Sequence, residues 1–152
     1  MRTSFAITLT GALALSVAIS TAVVGVAQQR VAPVRLDPDK ISGLNLTAIP
    51  PDSYKDILVA GSLNMKVSTL FAGRDLNVSI FECTPAKTDH RARPTDSDEF
   101  VYVLSGKLIL TEPGGMVHTY SAGDSLVLPA NYTGTWEMQG NYREIAITPR
   151  RR

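Results

Sequence analysis

From Lys66 onward the chain is a succession of short runs rich in β-branched and aromatic residues, cut at close intervals by turn chemistry. The runs lie near Lys66–Leu70, Leu76–Glu82, Glu99–Leu104, Lys107–Thr111, Met116–Tyr120, Ser125–Leu128, Gly134–Met138 and Arg143–Thr148. Ser105-Gly106, Pro113-Gly114-Gly115, Ala122-Gly123-Asp124 and Gly140-Asn141 separate them, and these residue types reverse a chain because they tolerate or favour turn backbone angles. No apolar period of 3.6 residues follows the N-terminal segment, so helices cannot supply the core. Short strands at this spacing predict an all-β sandwich or barrel. A further short strand or edge is expected near Ile57–Ser62. Between Thr84 and Asp98 the chain turns polar and carries Pro85 and Pro94, which reads as an extended loop or a partly paired strand.

The 152 residues suffice for one domain with its own core, and not for two. The N-terminus reads as a secretory signal. Met1-Arg2 is a short basic start, Phe5 to Val26 is uncharged and apolar, and Gly25-Val26-Ala27 puts small residues where a signal peptidase cuts. Cleavage is expected after Ala27, with a periplasmic or secreted product; an uncleaved anchor is the alternative, because the stretch is long enough to span a bilayer. Cleavage removes one cation, Arg2, and leaves 14 basic against 14 acidic residues. A neutral chain lacks the basic face that neutralises phosphates, so no nucleic-acid partner is expected, and no membrane partner once the signal is gone. Arg150-Arg151-Arg152 reads as a charged tail. Residues 28–53, punctuated by Pro33, Pro38, Pro50 and Pro51, form an irregular lead-in. Cys83 is the single cysteine, so no internal disulfide can form and the fold must stand on its core. Its ordinary meaning is a small buried hydrophobe.

Two segments carry a resemblance. Glu99-Phe-Val-Tyr-Val-Leu-Ser-Gly106 has a glutamate, six residues and a glycine; Gly123-Asp-Ser-Leu-Val-Leu-Pro129 has a glycine, five residues and a proline. In this order, with a hairpin between them, they resemble the two signatures of the cupin superfamily. Asp98 to Gly106, Gly134-Thr-Trp136-Glu137 and Phe81-Glu-Cys-Thr-Pro85 are similar to the subfamily of ureidoglycine aminohydrolase-like and ethanolamine-utilisation cupins. The resemblance implies a single cupin-type double-stranded β-helix, a jelly-roll barrel of the RmlC-like kind, over residues 57–148. A signal at 1–27, a lead-in or arm at 28–56 and a basic tail at 149–152 flank it.

The departures bear on chemistry. A metal-binding cupin places two histidines shortly before the motif glutamate and a third five residues after the motif proline. Those positions fall in Ala92–Thr95 and at Gly134, and none is histidine. Glu99 alone remains, and one carboxylate does not hold a transition metal. No cofactor is therefore expected; the alternative is a divalent transition metal on Cys83, His90 and Glu99. His90, in a charged run with Asp89, Arg91 and Arg93, reads as a solvated loop residue, and His118 as an outward-facing strand residue. Glu82 and Lys87 read as a salt-bridged rim.

With Glu99 pointing inward, as the resemblance implies, alternation turns Val101 and Val103 the same way. Gly134 and Trp136 share a face that the resemblance makes the inner one. The expected cavity holds Glu99, Val101, Val103, Tyr132 and Trp136, mostly apolar with one acidic group, as small-molecule sites are. Buried without a metal, Glu99 is the catalytic candidate, its carboxyl made a weaker acid by desolvation; the other reading is a structural carboxylate tied to arginine or backbone amides. Three functions stay open: a metal-free small-molecule binder, an enzyme on a small polar metabolite through Glu99 or an atypical metal site, and a structural oligomer. A homodimer is expected, with residues 28–60 as a possible arm.

Overall fold

The computed structural model describes residues 32–150. The expected signal at residues 1–27 and the last two arginines of the tail lie outside the described residues. The lead-in contains one short helix, α1 (Pro38–Ile41), a 3₁₀ turn at Pro51–Ser53 and a short strand, β1 (Thr47–Ala48). Asp37 caps α1, its Oδ1 accepting from the backbone N–H of Asp39 at 3.0 Å. The rest is β structure: β2 (Leu58–Gly61), β3 (Met65–Ala72), β4 (Leu76–Cys83), β5 (Ala86–Asp89), β6 (Glu99–Thr111), β7 (Val117–Ser121), β8 (Ser125–Leu128) and β9 (Thr135–Pro149). The all-β jelly-roll expectation holds.

The pairing is antiparallel throughout and turns on the two long strands. The first part of β6 lies between β8, with Val101 opposite Leu126, and the end of β9, with Val101 opposite Ala146. Its second part lies between β7 and the start of β9, with Leu110 opposite His118 and Trp136. In the same way β9 pairs β4 over its last residues and β5 over its first. Each long strand thus serves two sheet segments that curl over one core.

Sequence reasoning expected turns at Ser105-Gly106 and Gly140-Asn141; the structure instead carries the chain through both as bent strand. Gly106 and Gly140 have φ of 72° and 70°, and the β6–β9 register shifts beside Gly106. A Cβ at Gly106 would lie 2.7 Å from the Gln139 carbonyl oxygen and 2.8 Å from Tyr142 Cα. Only glycine fits, and the local chemistry of a bulge is that of a turn. The stretch after Thr84 contains a true paired strand, β5, whose Thr88 sits opposite Trp136.

The core is made by alternation on these strands. Val101, Val103 and Leu108 of β6 are fully buried, and Leu128, Cys83 and Tyr142 nearly so. Burying each such aliphatic side chain stabilises the fold by roughly 1.5–3 kcal/mol. Tyr54 and Ile57, just before β2, join the same cluster. On the outer face Glu82 pairs with Arg143, its Oε2 accepting from Arg143 Nε at 2.9 Å, and Lys66 Nζ lies 3.4 Å from Glu82 Oε1. Lys87 reaches Glu137 at 3.9 Å. Both residues of the expected rim are ion-paired with β9, and Glu82 also with Lys66 of β3.

Candidate functional site

A cavity of about 180 Å³ opens between the two curled sheet segments. Glu99 enters it from the first residue of β6, and Trp136, Met138, Tyr142 and Glu144 enter from β9. Phe81 of β4, Met65 of β3 and Thr88 of β5 complete most of the wall, with His90 one residue beyond β5. Glu99 and Trp136 therefore share a cavity, as expected. Val101 and Val103 point inward but lie in the packed core, outside the lining. Tyr132 lines a separate hollow with Glu112, His118 and Tyr120, its ring centroid 6.5 Å from that of Trp136. Cys83 is buried away from this cavity, and burial pushes its thiol up to about 12.

Alternation explains why β9 supplies so much. Tyr142, Glu144 and Ala146 face inward, while Arg143, Ile145 and Ile147 pair outward with Glu82, Ile80 and Val78 of β4. Glu144 is 5 % exposed. It accepts a hydrogen bond from the Tyr142 hydroxyl. Burial, joined by the charge of Glu99, pushes the Glu144 carboxyl up to about 8, although the tyrosine hydrogen bond opposes this. Burial also raises Glu99, and it raises Tyr142 together with the charge of Glu144. The cavity holds two carboxyl groups that resist ionising together.

His90 corrects the expectation of a solvated loop residue. Its ring stacks on Trp136, centroids 4.7 Å apart at 27°, and its Nε2 lies 3.1 Å from Thr88 Oγ1. Burial, the largest influence, lowers its pKa. The backbone fixes this placement, since His90 N–H donates to the Gly134 carbonyl at 2.8 Å. The following loop is tied to the turn after β8: Thr95 Oγ1 donates to Pro129 O at 2.8 Å and accepts from Tyr132 N–H at 2.9 Å. Sequence reasoning brought His90 to the site only in the alternative metal set, and it missed Tyr142 and Glu144. The signal was the period of two: Ala86, Thr88 and His90 inward, then Tyr142, Glu144 and Ala146 inward.

The donors do not fit a metal site of the kind the resemblance implies. A Cβ at Gly134, the third histidine position, would meet the Thr111 carbonyl oxygen at 2.5 Å. His90 is committed to Trp136 and Thr88. Among the described residues no three His, Cys, Asp or Glu side chains gather as a metal would require, so Cys83, His90 and Glu99 form no such set.

The comparisons agree with this architecture. Residues 72–144 match the family model described as the EutQ-like cupin domain. Among solved structures, the EutQ protein of Clostridium difficile aligns at TM-score 0.51 and 19% identity, covering 62% of this chain and 77% of that one. A putative ethanolamine utilization protein from Salmonella typhimurium LT2 aligns at 0.52 and 14%, covering 69% and 94%. A protein of unknown function from Pseudomonas syringae pv. tomato aligns at 0.58 and 22%, covering 68% of this chain and 43% of that one, under half of its length. At these identities the structural likeness is one of fold. No curated protein matches the sequence.

Proposed function

From the premise that this chain belongs to the cupin superfamily, with an EutQ-like cupin domain at residues 72–144, we propose that it binds a small organic molecule in the barrel cavity, without a metal. The observation that carries this reading is the cavity lining: two carboxyls, Glu99 and Glu144, set against the Trp136 and Phe81 rings and the aliphatic and thioether side chains of Leu63, Met65 and Met138. Apolar walls with a few converging polar groups are the usual make-up of small-molecule sites. A volume near 180 Å³ suits a molecule of roughly six to ten heavy atoms, since a dry cavity of about 150 Å³ accepts benzene.

The protein is proposed to work outside the cytoplasm, on the strength of the secretory pattern ending at Ala27. It is also proposed to pair with a second copy through the outer face of β6 and β8. There Phe100 and Val127 lie directly opposite each other, 39% and 63% exposed. A second functional reading, catalysis with Glu99 as general acid, is favoured by the burial that keeps its carboxyl protonated to higher pH.

The test is a thermal-midpoint screen of chelator-treated protein against small organic fragments. A molecule that binds the folded state alone raises the midpoint in proportion to its occupancy. Hits whose shift is lost in Glu99→Gln support the reading; no hits, or hits indifferent to Glu99 and Trp136, overturn it.

A further inference from the structure

Every other basic side chain near the cavity is engaged elsewhere. Arg143 pairs with Glu82, Lys87 with Glu137, Arg91 with Asp89 and Arg93 with Asp56. No lysine or arginine lines the cavity, and neither Glu99 nor Glu144 has an ion-pair partner among the described residues. His90 is the one side chain there that could carry positive charge, and its burial against Trp136 holds it neutral. For Glu144 the one hydrogen bond among the described residues comes from the Tyr142 hydroxyl and uses Oε2, which leaves Oε1 for a ligand. Phe81, Trp136 and Tyr142 add aromatic walls.

We infer that this cavity selects small organic cations, of the alkylammonium or cycloalkylammonium class, over neutral and anionic molecules of the same shape. The inference rests on the proposed binding role and names its ligand class. Buried carboxyls without a counter-ion are costly when ionised, and an ammonium group seated between them supplies the missing partner. Its N–H donors meet Glu99 and the free Glu144 oxygen, while its hydrocarbon part covers the methionines and rings. The ring faces attract the same charge. A neutral isostere brings no positive charge to the carboxyls, and an anion places negative charge beside them in a cavity that no lysine or arginine lines.

The test is a matched series on the purified protein at pH 7 and constant ionic strength: cyclohexylammonium chloride, cyclohexanol and sodium cyclohexanecarboxylate. Emission of Trp136, the single tryptophan, reports occupancy directly. Cyclohexylammonium is expected to bind at least about tenfold more tightly than the alcohol, with no detectable carboxylate binding. Glu99→Gln should reduce that preference, and Glu99→Asp, which keeps the charge, should retain most of it. Equal or tighter binding of the alcohol or the carboxylate overturns the charge selection and leaves the binding role standing. Silence from all three, together with an empty fragment screen, overturns both.

Discussion

Glu144 offers the sharpest physical test, because its carboxyl is both buried and titratable. Its folded pKa is about 8, against a reference value of 4.5. The folded state therefore holds the proton more tightly than the unfolded chain does. The resulting stabilisation is complete below about 4.5 and is lost as pH rises through about 8. At about 1.4 kcal/mol per pH unit over that window, the total reaches about 5 kcal/mol, an upper figure because water entry and relaxation lower the cost of the ionised form. Glu144→Gln keeps the side chain's size and an oxygen to accept from Tyr142, but it cannot ionise. Urea unfolding of both proteins should be followed at pH 5, 6, 7 and 8.5. Glu82 and Asp89 have depressed pKa values and titrate below this window in both proteins. Subtracting the two stability curves therefore removes them. The wild type should lose several kcal/mol relative to the variant between pH 5 and 8.5, with the variant the more stable at the alkaline end. Parallel curves would refute the burial argument, as would a variant that loses stability faster with pH.

Four further outcomes are expected. Native Cys83 should react with a thiol reagent at pH 8 at least a hundredfold more slowly than in urea, since its thiol is buried with a pKa of about 12; equal rates would place it at the surface. Gly106→Ala should cost at least about 2 kcal/mol in denaturant unfolding, because φ is 72° and the added methyl meets the Gln139 carbonyl. Trp136→Ala, which loses the stack on His90 and half-buried ring area, should cost roughly 2–4 kcal/mol; wild-type stability would show that the ring packs on nothing. Val127→Lys on the exposed row beside Phe100 should halve the mass seen by sedimentation if that face pairs two copies; an unchanged dimer would place the interface elsewhere.

The fold was legible because strand chemistry is local. β-branched runs and turn glycines marked β3, β4, β7 and β8 within a residue or two. The long strands were not, since Gly106 and Gly140 carry the same local signal whether the chain reverses or bends, and only the partner strand decides. Within the site, Glu99 and Trp136 came from motif positions and alternation. Glu144 stayed hidden because Ile145 and Ile147, the apolar residues of that run, lie on the opposite face of the sheet beside the buried Ile80 and Val78 of β4, so the apolar positions of the run do not mark the cavity side. His90 reads as solvated because its charged neighbours dominate the run, although Thr88 and His90 continue the inward face of β5. What a carboxyl's pKa becomes depends on contacts across the barrel, which no linear spacing encodes.

The central claim, that the cavity between Glu99, Glu144 and Trp136 receives a small organic molecule, is tested most directly at the indole itself. A single tryptophan gives one indole Nε1–H cross-peak in a ¹⁵N-correlated spectrum. In chelator-treated protein titrated with cyclohexylammonium chloride, that peak should move and saturate with the same dissociation constant as the thermal shift, and stay still in Glu99→Gln. An indole peak that does not move while the protein is stabilised would put the ligand elsewhere and contradict the account.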